Sequence, residues 1–208
     1  VCDDQSSDTT ISILEDFGKH VNFPVRIIQN ETNLGVTKNF EKAIAHCTGD
    51  IIVLSDQDDV WHATKLETFE KTFLQNPDIG LVFSDLMITD GKLKLQNTTM
   101  FDLLNLNNER KRMFRDGRCF ELLLKQNYVT GAGMAFRGSY KNAVLPISNM
   151  WVHDEWIAII LSLLTKFTVI DEPLTYYRQH GNNQIGVTNI RGANPLLNRI
   201  RKTLSVSS

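Results

Sequence analysis

Residues 51–61 read Ile51-Ile52-Val53-Leu54-Ser55-Asp56-Gln57-Asp58-Asp59-Val60-Trp61. A run of branched apolar residues predicts a strand covered on both faces, as in sheets with helices on either side. An acidic cluster follows at once, so this strand ends in a loop crowded with carboxylates. In open α/β sheets, ligands bind beyond the carboxyl ends of the strands.

The flanks fit the same architecture. Before the strand, Thr37 to Cys47 reads as a helix with Phe40, Ala43, Ile44 and Cys47 on one face and Gly49 as its stop. After it, His62 to Leu74 reads as a helix ended by Asn76-Pro77, and Ile79 to Phe83 as the next strand. Upstream lie a capped helix, Asp8 to Phe17, a short strand, Val25 to Ile28, and a polar turn, Asn30 to Gly35. Alternating strands and helices predict an α/β fold with a mainly parallel central sheet. Val1-Cys2-Asp3-Asp4 reads as the end of a strand meeting a second acidic loop. That start leads us to expect a first strand and helix missing ahead of Val1.

Downstream the pattern loosens. Residues 86–118, rich in Asn and then in charge, read as an insertion on the binding face. Phe120 to Lys125 is a short helix, and Tyr128 to Phe136 contains Gly131-Ala132-Gly133, where backbone can approach a ligand. Asp154 to Leu164 is a helix; Phe167 to Ile170 and Leu174 to Tyr177 are strands about a turn at Asp171-Glu172-Pro173. A catalytic domain over 1–187 is followed by a basic amphipathic tail, 188–208, with Arg191, Arg199, Arg201 and Lys202 beside Leu196, Leu197, Ile200 and Leu204.

Composition narrows the function classes. With 22 Lys and Arg against 24 Asp and Glu, there is no basic excess to hold nucleic acid. Cys2, Cys47 and Cys119 are odd in number and far apart, which argues against a disulfide framework or a zinc site and for a reducing cytosol. The longest apolar run, Trp156 to Leu164, is roughly half of the ~20 residues a membrane span needs.

Four segments can carry chemistry. Asp56 and Asp58 at a strand end repel each other and suit a hard divalent cation that bridges a diphosphate; a solvated helix-capping loop is the bland alternative. Asp3-Asp4 with Ser6, Ser7 and Asp8 offers acceptors and hydroxyls to a base or ribose, or simply caps a helix. His153-Asp154-Glu155-Trp156 puts a carboxylate at a helix start, where it stays ionised and can serve as a base or as a cap. Tyr177-Arg178-Gln179-His180 follows a strand, with His180 a candidate ligand and Arg178 a candidate phosphate holder.

In this order and spacing, the segments Val1 to Asp8, Asn33-Leu34-Gly35 with Asn39, Gly49 to Trp61, Lys65-Leu66, Gly131 to Phe136, His153 to Trp156 and Tyr177 to His180 resemble a family 2 glycosyltransferase of GT-A fold. The resemblance covers roughly residues 1–185. It implies a donor and nucleotide site at Asp3, Asp4, Ser6, Asn33, Gly35, Asn39, Asp56, Gly131, Gly133 and Arg178. It implies Mn2+ or Mg2+ at Asp56, Asp58 and His180, with Asp58 the direct ligand. Asp154 matches the acidic position of the family's Glu-Asp motif and would be the catalytic base. His153 stands where that motif has Glu, so Glu155 remains a rival.

The resemblance further implies inversion at the anomeric carbon, with a nucleotide-sugar donor, UDP- or dTDP-linked, and a glycan or lipid-linked saccharide acceptor. The wording of the acidic and His-Asp-Glu-Trp segments is similar to the bacterial subgroup often described as rhamnosyltransferases. Such work in surface polysaccharide synthesis would place the chain in the cytoplasm at the inner membrane face, with the basic tail assisting peripheral contact. The family's opening strand with its Pro-x-Tyr-Asn type motif has no match here, so the chain alone is expected to be unstable or inactive. A nucleotidyltransferase and a non-catalytic binding module remain alternatives.

Overall fold

Ile79–Thr89, expected as a strand to Phe83, folds as a strand of 11 residues, and nearly all its side chains are buried. The computed structural model describes residues 1–180, so the expected tail at 188–208 lies outside the described residues. In chain order the elements are β1 (Cys2–Asp3), α1 (Thr10–His20), β2 (Ile28–Gln29), α2 (Val36–Ala45), β3 (Ile51–Val53), β4 (Val60–Trp61), α3 (Lys65–Gln75), β5 (Ile79–Thr89), β6 (Leu95–Thr99), α4 (Met100–Leu103), α5 (Asn108–Arg115), α6 (Cys119–Leu123), β7 (Met134–Arg137), α7 (Lys141–Val144), α8 (His153–Ser162) and β8 (Lys166–Arg178). The five helices read from sequence all form, their ends moved by no more than three residues.

The strand directions correct the expectation of a mainly parallel sheet. A six-stranded sheet runs β3-β7-β5-β8-β4, with β6 on β5, and only β5 and β8 within it are parallel. The β3–β7, β7–β5, β5–β6 and β8–β4 pairs are antiparallel. The reason is local: β5 continues to Thr89 and returns through a tight turn at Asp90–Lys94 as a hairpin, without a crossover helix. β1 and β2 form a separate parallel pair. Beside them α1 buries none of its residues, and Ile13 and Phe17 lie exposed.

Two further expectations change. Residues 86–118 are not a surface insertion, because Leu86, Ile88, Met100, Phe101, Leu104, Leu106 and Phe114 belong to the main core. Helices as short as α4 and α5 show too few turns for a periodic pattern to be read. The two strands expected around Asp171-Glu172-Pro173 are one strand, β8. Its register against β5 jumps from Ser84↔Ile170 to Asp85↔Pro173, so Asp171 and Glu172 form a bulge that accommodates the proline. The bulge is tied to α5 by Lys111 and Arg115, 2.7 and 3.1 Å from the Asp171 carboxylate.

The cysteines Cys2, Cys47 and Cys119 are free thiols. Among the described residues, no helix is long and apolar enough to cross a membrane. The core centres on Phe114, fully buried, with its ring 5.0 Å from Phe83, 6.0 Å from Tyr128 and 6.3 Å from Phe167. Phe114→Ala is expected to cost about 3–5 kcal/mol of stability, read from the shift in the urea unfolding midpoint.

Candidate active site

The donor-side residues from the first acidic loop come together at the end of β1. Asp3 is buried and accepts from the hydroxyl of Ser6 and from its backbone N–H at 3.1 Å. Asp4 accepts from the backbone of Leu34 at 2.7 Å and Gly35 at 2.9 Å, and from Asn30 Nδ2 at 2.8 Å. Burial raises the Asp4 carboxyl, but these hydrogen bonds outweigh it and hold the group below its ordinary range. Asn33 donates to the Asp4 carbonyl, and Asn39 links the Cys2 carbonyl to Asn30. Gly35, at φ 76°, lets the chain turn into α2 with its N–H facing Asp4. These six predicted residues therefore form one polar cluster, with Asp3 and Asp4 engaged by their own loops.

The second acidic loop meets the end of β8. Val60 pairs with Tyr176 and Trp61 with Thr175, antiparallel, so extending the ladder back by two residues sets Asp58 opposite Arg178. Arg178 donates from Nε to the Asp58 carbonyl at 2.7 Å and from its backbone N–H to Asp59 Oδ1 at 2.9 Å. It also reaches the Gly91 carbonyl at 3.3 Å, so its guanidinium braces two turns. His180 Nε2 lies 2.9 Å from Asp58 Oδ2.

Asp56 departs from the expected trio. Among the described residues, no three acidic, His or Cys side chains are grouped closely enough to hold a metal ion. Asp58 and His180 meet, and Asp56 lies in the field of His153, Asp154, Asp58 and Lys65. Asp58 and His180 are one carboxylate and one imidazole, donor types that a divalent ion accepts.

Asp154 lies in the first turn of α8 and accepts from the Gly131 backbone N–H at 3.0 Å. Glu155, the next residue, projects roughly 100° further round the helix. A Cβ on Gly131 would sit 2.9 Å from His153 Nε2, and one on Gly133 would sit 2.7 Å from the Ser84 carbonyl oxygen. Both glycines are buried, so their lack of a side chain is needed by protein neighbours. In particular, Gly133 packs on β5.

Four side chains outside the predicted set complete the site. Lys65 is fully buried, with Nζ 2.7 Å from the Ala132 carbonyl, 2.9 Å from Thr175 Oγ1 and 4.3 Å from the Trp61 ring centroid. Burial brings its ammonium down to about 8 against the opposing pull of Asp59 and Asp56. Burial pushes the Asp59 carboxyl up to about 7, with Asp56 and Asp58 adding to it. The Tyr177 phenol is raised by burial and then by Asp59, Asp56, Asp58 and Asp154 together, so all four carboxylates face one region. His153 is buried and stacks on Phe40 at 3.8 Å, and among the described residues neither ring nitrogen has a hydrogen-bond partner.

The family model described as Glycosyl transferase family 2 matches residues 1–142. The chain belongs to glycosyl transferase family 2. That span holds both acidic loops and the glycine turn, while α8 and β8 follow it. A glycosyltransferase of Nostoc, alr2836, is 26% identical over 190 residues, which is 88% of this chain and 56% of that protein. The fold is GT-A, like that of Staphylococcus aureus TarS 1–349 with UDP-GlcNAc: TM-score 0.67, 17% identity, covering 97% of this chain and 55% of that TarS chain. The Pyrobaculum calidifontis mannosyltransferase with GDP-Man and Mn2+ gives a TM-score of 0.60 at 15% identity, covering 96% and 58%. The chain thus spans a little over half the length of these relatives.

Within this family 2 frame, Lys65 had a visible signal. It shares a helix face with Phe69 and Phe73 at spacings of four, and all three are buried. Asp59 sits in the quoted acidic run, and Tyr177 and His153 adjoin predicted residues. Only the paired arrangement of β4 and β8 reveals that they converge.

Two outcomes follow from this packing. Gly133→Ala is expected to cost about 1–3 kcal/mol by overpacking against β5 backbone, measured by thermal unfolding. Burial also holds the His153 imidazole down at about 4, against 6.5 ordinarily. Between those values the unfolded chain binds a proton that the folded chain does not, so stability falls as pH falls through that window. His153→Phe removes this part of the acid dependence, giving a flatter plot of unfolding midpoint against pH.

Proposed function

We propose that this chain is the catalytic domain of an inverting glycosyltransferase, moving a sugar from a nucleotide-diphosphate donor to a glycan or lipid-linked acceptor. One observation carries it: the acidic loop meets the end of β8, with His180 Nε2 2.9 Å from Asp58 Oδ2, and Asp56, Asp59 and Asp154 lie with Asp58 within electrostatic range of Tyr177. The UDP-GlcNAc of TarS and the GDP-Man and Mn2+ of the mannosyltransferase support a nucleotide-sugar donor. The subgroup resemblance favours a UDP- or dTDP-linked sugar, rhamnose among the candidates, and a role in bacterial surface polysaccharide. Peripheral membrane contact would rest on the basic tail.

Each group has a task. Asp4 and its neighbours Asp3, Ser6, Asn33, Gly35 and Asn39 line the nucleotide end. Asp58 and His180 would hold Mn2+ or Mg2+, which supplies neutralisation of charge on the departing diphosphate. Asp154 is the base. The helix N-terminus favours its carboxylate, and the Gly131 N–H fixes one oxygen. The acceptor oxygen bonds to the anomeric carbon as the carbon–diphosphate bond breaks, and its proton passes to Asp154.

Asp154→Asn is expected to lower transfer by about 10²–10⁴-fold while donor binding persists, checked with labelled nucleotide-sugars and calorimetry. Near-normal turnover would remove Asp154 from this role and move the test to Glu155→Gln. Asp58→Ala is expected to weaken donor binding in the presence of manganese and to leave metal-free binding unchanged, measured by titration under both conditions.

A further inference from the structure

Lys65 has no task in the mechanism above, and it cannot touch a donor. Its exposure is 0%. An enclosed ammonium is costly, and an apolar side chain of similar volume would pack there without that cost. A cation in this position therefore needs a reason.

Its partners supply one. Nζ donates to the Ala132 carbonyl at 2.7 Å and to Thr175 Oγ1 at 2.9 Å, and Thr175 Oγ1 donates to the same carbonyl at 3.0 Å. Thr175 is itself buried. One carbonyl oxygen is thus gripped by side chains of α3 and β8, which lie 67 and 43 residues away in the chain. Ala132 sits between Gly131 and Gly133 in a single turn of 3-10 helix. Such turns have poor hydrogen-bond geometry, and glycine restricts the backbone least of all residues. The grip from α3 and β8 adds the restraint that the turn's own residues do not provide. Just ahead of the gripped residue, the Gly131 N–H donates to Asp154 Oδ2 at 3.0 Å, while Asp154 Oδ1 accepts from the Glu155 N–H at 2.6 Å. The second bond is internal to α8; the first ties the carboxylate to the turn. A backbone N–H aimed at a carboxylate favours its ionised form, which is the form a base needs.

We propose that Lys65 and Thr175 are positioning residues for the base: by clamping the Ala132 carbonyl they keep the Gly131 N–H on the Asp154 carboxylate. This rests on the transfer reading above, with Asp154 as its base.

The test follows the Gly131 amide by NMR in chain carrying isotope-labelled glycine. In wild type its resonance should track the titration of Asp154, and in Asp154→Asn that titration should vanish. In Lys65→Met and in Thr175→Val the midpoint should rise by about one pH unit as the bond to the carboxylate weakens. Asp56 and Asp59 face Lys65, and Asp56, Asp58 and Asp59 lie with Asp154 within electrostatic range of Tyr177, so loss of the ammonium also changes the field. Thr175→Val leaves every charge in place, so a rise there reports the turn, and Thr175→Ser should restore the wild-type midpoint. A loss of folded protein lowers signal intensity without moving the midpoint. Turnover is read in parallel as hydrolysis of UDP-GlcNAc, GDP-mannose and dTDP-rhamnose with Mn2+ present, water taking the acceptor's place. The acid limb of kcat should move up with the NMR midpoint. An unchanged midpoint in Thr175→Val, which decides alone if Lys65→Met does not fold, overturns the inference and leaves the transfer reading standing. A midpoint that rises while the kcat limb stays in place removes Asp154 as the base, and the positioning role with it. Failure of wild type to hydrolyse any of the three donors overturns the transfer reading and the inference that rests on it.

Discussion

A single buried ammonium joins the parts of the site. Lys65 opens α3, with its Nζ enclosed between the Ala132 carbonyl, Thr175 Oγ1 and the face of Trp61. Taking an ammonium out of water costs several kcal/mol unless hydrogen bonds and opposite charge offset it. Here the offset comes from three separate regions: the glycine turn, β8 and the acidic loop with Asp56 and Asp59. Moving any one of them strands the charge, so Lys65 locks their relative positions. It acts on the backbone of the residue between Gly131 and Gly133, and through that turn on Asp154.

The same electrostatics describe a site short of positive charge. Burial raises Asp56 and pushes Asp59 up to about 7, and neighbouring carboxylates add to both shifts. Groups that approach neutrality in this way relieve mutual repulsion by keeping protons. A divalent ion with a diphosphate would bring both charge and ligands to Asp58 and His180. Lys65 below the loop and Arg178 beside it each donate to a backbone carbonyl, so both also shape the loop.

What the sequence made legible follows physical range. Ile51–Val53 and the α3 helix rest on local pattern, and they form as expected. Contacts that depend on pairing across the chain were not readable. The hydrophobics of 86–118 looked irregular because they serve short helices and a hairpin, each with too few residues to repeat. Asp171-Glu172-Pro173 looked like a turn because its residue types suit one, and the parallel neighbour β5 turned it into a bulge. Gly131 and Gly133 carried the right residue type for a reason that tertiary packing supplies.

The misjudged strand direction is also what assembles the site. Asp58 and His180 are 122 residues apart, and alternation of helices and strands gives no reason for them to meet. The antiparallel β4–β8 ladder does, since extending its register back from Val60↔Tyr176 carries Asp59 and Asp58 alongside the last residues of β8, Tyr177 and Arg178, with His180 two residues on. Reversed at the same place on β8, the strand would carry the loop back toward Leu174 and Pro173 instead. Because β8 is parallel to β5, its end also comes out beside the β5–β6 turn, where Arg178 reaches Gly91. A short strand of two residues thus decides which side chains share the pocket. Its register is held by Trp61, whose ring lies against the ammonium that also anchors Thr175 across the ladder.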